Sequence, residues 1–142
     1  MSDVISPDQL KQISDQIEME KAKQLLEKQR KLEEEQRNFR DMFMNRKPAP
    51  DADERFNEWV RKAAEDGERE RMVFSFPSTF CTDGGRAINN FDPSWPETLT
   101  GFAKQAYEYF ETKLKPNGYK MRMQIINYPG GIPGDVGVFI SW

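Results

Sequence analysis

From Asp8 to Lys47 the chain carries no glycine and no proline, and its only β-branched residues there are Ile13 and Ile17. Nothing in that run breaks a helix. The spacing predicts one rod to about Asn45, roughly 58 Å long at ~1.5 Å per residue. Ser6-Pro7-Asp8-Gln9 supplies its start. Ser6 suits the cap, Pro7 the first helical position, and Gln9 the reciprocal place in a capping box.

The rod is polar over most of its surface. Leu10, Ile13 and Ile17 make one short apolar stripe, and Leu25, Leu32 and Phe39 recur every seven residues, with Met42 and Phe43 at the end. Between the two stripes Glu20, Lys21 and Gln24 fill the places a continuous seam needs, and Lys28, Gln29, Glu35 and Gln36 leave the second stripe half polar. This is half of a coiled-coil pattern. Glu27–Lys31 and Glu33–Arg37 have the favourable order for pairs within the helix, each contributing ~0.2–0.5 kcal/mol. Two readings follow: a salt-laced helix that touches a partner only near its ends, or a coiled coil completed by a partner.

Arg46-Lys47-Pro48-Ala49-Pro50 reads as a hinge, because its prolines cannot continue a helix. Asp51 is expected to cap a second helix whose stripe is Phe56, Trp59, Val60, Ala63 and Ala64, with Gly67 as its stop. Strands are expected at Met72–Phe76, at Tyr119–Asn127 and at Val136–Trp142, where apolar residues alternate. Ser94–Lys115 is the most amphipathic stretch, with Leu99, Phe102, Ala103, Ala106, Tyr107, Phe110 and Leu114 at helical steps. The third strand has no charge, while the second carries Lys120 and Arg122, and sheet edges tolerate charge better. The third strand therefore belongs in the middle. The fold class is α+β: a long N-terminal helix (1–47), a proline hinge (48–50), and a small two-layer α/β domain (51–142). That domain reads helix-strand-helix-strand-strand, with a three-stranded sheet in order 1-3-2, a split β-α-β.

Charge and composition restrict function more than they assign it. Residues 1–70 hold 14 Lys/Arg against 18 Asp/Glu, and residues 71–142 hold 7 against 6. The overall −3 gives no general attraction to nucleic acid or anionic membrane. Histidine is absent, which removes Ser-His-Asp and Cys-His catalysis and histidine zinc sites. Cys81 is the only cysteine, so no intrachain disulfide forms. With no apolar leader in the first twenty residues and no apolar run long enough to span a bilayer, the expected location is cytoplasmic.

The longest connection, Ser78–Pro93, is the stretch most open to function. Phe80, Ile88 and Phe91 read as its anchors, and Gly84-Gly85 permits a sharp turn. Arg86 could clamp an anion, with Asn89 and Asn90 as further donors. Alternatively, Asp83 pairs with Arg86 and Cys81 packs as a small hydrophobe. Cys81 lacks a histidine base and is not expected to be a nucleophile. Asp51-Ala52-Asp53-Glu54-Arg55 fails as a calcium loop because Arg55 stands where a ligand is needed. Gly130-Gly131-Ile132-Pro133-Gly134 lacks the Lys-Ser/Thr ending of a phosphate loop and reads as a wide turn.

The sequence thus points to a non-enzymatic interaction or assembly module, with a protein partner or a homo-oligomer expected. The contact residues are Leu25, Leu32, Phe39, Met42 and Phe43 on the rod, and Asp83, Arg86, Asn89 and Asn90 on the loop. No cofactor, metal or catalytic set is expected, and neither nucleic acid nor membrane is an expected partner. Two alternatives stand beside it: an RNA-binding face built on Lys120, Arg122 and Phe139, and a small-anion site or enzyme in the 78–93 loop.

Overall fold

The computed structural model describes residues 3–142. Helix α1 spans Pro7–Asn45, 39 residues. Its first turn is held by the expected capping box. The Ser6 amide donates to Gln9 Oε1 at 2.9 Å, and the Gln9 amide donates to Ser6 Oγ at 3.2 Å. This satisfies two amides at the helix start that have no intrahelical acceptor.

The chain divides into two compact units, one ending at Asp41 and one running Met42–Trp142. In the first, every residue from Pro7 to Asp41 is exposed. The second contains the end of α1, then α2 (Ala52–Glu65), β1 (Glu70–Pro77), a one-turn helix α3 (Arg86–Asn89), α4 (Gly101–Tyr109), β2 (Lys120–Ile125) and β3 (Asp135–Ser141). The segment read as a hinge, residues 46–50, falls inside this unit, with Pro48 and Ala49 half-buried.

The sheet has the order β1-β3-β2, and both pairings are antiparallel. β1 and β2 therefore run the same way, with α4 on the path between them. Val136, Val138 and Ile140 on the uncharged stretch of β3 are almost inaccessible. Phe76 and Ile125 flank Val136, and Phe74 and Met123 flank Val138, so one face of all three strands is apolar. A bulge between Met72 and Phe74 inserts Val73 and shifts the register, so that Met72 falls opposite Phe139 and leaves the face shared by Phe74 and Phe76.

The end of α1 corrects the sequence reading. Phe43, expected on the rod's partner-facing stripe, is only 7% exposed. Its ring centroid lies 5.4 Å from Phe76, 4.9 Å from Phe80 and 6.4 Å from Phe102. Backbone approach makes this packing possible. A Cβ on Gly101, which has φ +55°, would stand 2.8 Å from Met44 Cα and 2.9 Å from the Phe43 carbonyl oxygen. Only glycine fits that position, on both counts.

This contact also shortens the central helix. Leu99 and Thr100 are extended, and Thr100 Oγ1 donates to the Phe80 carbonyl. The expected Ser94–Lys115 helix becomes a 3₁₀ turn at Trp95–Thr98, then α4, then a π-turn at Phe110–Leu114. In the π region Thr112 Oγ1 donates to the Glu108 carbonyl at 2.9 Å, a side-chain bond that competes with the helical ladder. Leu99, Ala103, Phe110 and Leu114 are nonetheless buried, as their spacing predicts. Asp51 precedes α2 but makes no capping bond; its carboxylate takes Arg55 Nε at 3.0 Å instead.

Two phenylalanines near each other in sequence, or a phenylalanine and a leucine on one helix, should therefore behave differently. Phe43→Ala is expected to destabilise the second unit by ~3–5 kcal/mol, and Leu25→Ala by less than about 0.5 kcal/mol. Urea unfolding followed by tryptophan fluorescence measures both, and equal losses would contradict the assignment.

Candidate functional site

The most exposed apolar side chains of the expected contact stripe lie on α1. Leu25 is 68% exposed and Leu32 is 56% exposed; Leu26 and Met42 are equally open, and Phe39 is half exposed. A helix of 39 residues is long enough to persist without tertiary support, unlike one shorter than ~12–15 residues. Among the described residues the expected Glu27–Lys31 and Glu33–Arg37 pairs do not close. The charges beside Leu25 and Leu32 are therefore directed to solvent, not to one another.

The 78–93 connection is ordered by its own backbone. Asp83 does not pair with Arg86. Its carboxylate accepts the Gly85 and Ala87 amides, both at 2.9 Å, and so closes the turn into α3. Gly85 is left-handed, and a Cβ there would meet Ser78 Cβ at 2.9 Å. Asn89 Oδ1 accepts the Tyr128 hydroxyl at 2.7 Å, and Ser78 Oγ donates to the Pro133 carbonyl at 3.0 Å. Asp83 and Asn89 thus tie the connection to itself and to the turn before β3. Arg86 and Asn90 remain on the surface. Phe91, expected as an anchor, is exposed and left-handed at φ 56°, so only Phe80 and Ile88 anchor this stretch. Nothing in the sequence marks that reversal, because it depends on the turn following α3.

Cys81 lies inside the core, and burial pushes its thiol up to about 11, with the neighbouring Asp83 charge adding to the rise. A thiol so placed is protonated at neutral pH and poorly nucleophilic. Among the described residues no group of three or more acidic or cysteine side chains is arranged to hold a metal ion.

The open sheet face is also internally engaged. The Arg122 guanidinium sits 4.2 Å from the Phe139 ring centroid and pairs with Glu70 at 2.7 Å, and it also donates to Gln124. The cation and the ring that a stacked base would need already cover each other.

Sequence reasoning missed a cavity of about 430 Å³ between α2, α4 and the apolar sheet face, lined by Phe56, Trp59, Phe102, Tyr109, Met121 and Ile140 among others. It arises from helix–sheet spacing, which no local pattern encodes. Beside it the Tyr109 hydroxyl donates to Asp53 at 2.5 Å, which lowers Asp53, and Lys113 lies 3.5 Å from the same carboxylate. Burial, then Asp53, raises Tyr109 above the ordinary tyrosine value of 10.0.

Among the described residues no helix is long and apolar enough to cross a membrane. The chain matches no family model, no curated protein and no solved structure.

Two measurements check this geometry. Cys81 should react with a bulky thiol reagent at neutral pH much more slowly than free cysteine, and faster labelling would contradict its burial. Tyr109 holds its proton more tightly in the folded state, so its contribution to stability is complete below pH 10.0 and is lost as pH rises beyond it. Tyr109→Phe should flatten that alkaline decline in a denaturation series; an unchanged decline would contradict the Tyr109–Asp53 link.

Proposed function

We propose that this protein is a non-catalytic interaction module in which α1 joins the Met42–Trp142 unit to a protein partner. The observation that carries the reading is the exposure of Leu25 and Leu32 on a helix where, among the described residues, the flanking Glu27, Lys28, Lys31 and Glu33 close no ion pair. Arg86 and Asn90 provide a smaller second surface. The absence of histidine and the buried, protonated Cys81 argue against an acid–base or thiol enzyme.

Magnitudes limit what the stripe does alone. Fully burying two leucines yields ~3–6 kcal/mol, while association costs ~4–15 kcal/mol in lost translational and rotational freedom. The partner must therefore contribute apolar surface of its own and complementary charge along the same helix. A partner helix satisfies both conditions; a flat polar surface satisfies neither.

Replacing Leu25 and Leu32 together by Asp in the full chain should abolish association while leaving the urea midpoint of the second unit unchanged. Light scattering and chemical cross-linking read the first, and tryptophan fluorescence the second. If the doubly substituted chain keeps all of its associations, α1 is not the docking element.

A further inference from the structure

We propose that the partner of α1 is α1 of a second copy of this chain, paired parallel and in register over Ala22–Arg40. The inference rests on the docking role assigned to α1 and names its occupant. Along this stretch steps of three and four give two seam rows: Ala22, Gln29 and Gln36 in one, Leu25 and Leu32 in the other. This is the a/d spacing of a two-stranded coiled coil. In a parallel pair in register each seam residue meets its own counterpart. Leu25 packs on Leu25 and Leu32 on Leu32. The Gln29 and Gln36 side chains meet as amide pairs, in which each can both donate and accept.

The flanking charges select this arrangement. The positions beside the seam that face each other across a parallel pair lie five residues apart on opposite chains. They bring Lys28 to Glu33 of the other copy and Glu35 to its Arg40, and both contacts occur twice by symmetry. All four side chains are exposed, and among the described residues none closes an ion pair within its own chain. Sliding one copy by seven residues brings Lys28 opposite Arg40 and Glu35 opposite Glu33, so both contacts become repulsive. Reversing one copy sets Leu32 against Gln29 or Gln36, which leaves amides in apolar surroundings without a partner. The parallel, in-register pair is thus the arrangement in which seam and flanks agree.

Sedimentation equilibrium of the full chain should show a mass moving from 16.6 kDa towards twice that value between micromolar and millimolar concentration. Lys28→Glu should weaken the dimer about tenfold, and the double exchange Lys28→Glu with Glu33→Lys should restore it. A merely structural disturbance would not be rescued in this way. Ala22→Cys reports orientation under mild oxidation. Parallel chains cross-link at that position, whereas antiparallel chains hold the two thiols roughly 25 Å apart. A dimer that fails to cross-link overturns the parallel arrangement. A chain that stays at 16.6 kDa throughout, yet cross-links another protein through Leu25 and Leu32, overturns self-pairing and leaves the docking role standing. A chain that stays monomeric and cross-links nothing through those leucines overturns both.

Discussion

Phe43 packs at the centre of a group of phenylalanine rings, with Phe76 and Phe80 about one ring width away. Gly101 brings the start of α4 against the backbone of Met44. The rest of the Met42–Trp142 unit follows from this contact. Phe76 belongs to β1, Phe80 to the turn after it, and Phe102 to α4. One side chain at the end of α1 therefore ties a strand, a connection and a helix into a single apolar interior. A three-stranded sheet is too small to be stable without such cover on its apolar face. The same contact requires Leu99 and Thr100 to extend before α4 begins, and the Thr100 hydroxyl bond to Phe80 fixes that break.

The chemistry available to the unit is correspondingly narrow. Its thiol is buried and protonated, and the carboxylate of Asp83 is committed to backbone amides. Arg122, one of the cations on the open sheet face, is bound to Glu70 and stacked on Phe139. On α1 before Asp41, exposed leucines stand among charges such as Lys28 and Glu33 that close no ion pair among the described residues. The proposed docking role draws on that distribution: burial of apolar surface would supply the drive, and charge placement the choice of partner and register.

The strand order was legible because the charges along β2 and their absence from most of β3 reflect which strand is enclosed. The capping box was legible because Ser6 and Gln9 act locally, within one helical turn. Leu25 and Leu32 could be picked out by their spacing of seven. Phe43 could not be separated from them by periodicity, since it continues the same rhythm four residues after Phe39. Only its distance to Phe76 and Phe80 reveals its different environment. The engagement of Asn89 was hidden for a similar reason: Tyr128, which donates to it, lies 39 residues away. Asp51 failed as a cap because Arg55, one turn on, competes for its carboxylate, an outcome decided by side-chain geometry and not by residue type.

The most direct test is amide hydrogen exchange on the full chain at two protein concentrations. Residues 22–40 should exchange far faster than β3 in dilute solution and become protected as concentration rises, while β3 stays slow at both. Protection of residues 22–40 equal to that of β3 in dilute solution would mean that the helix is enclosed within its own chain, and would contradict its role as an exposed docking element.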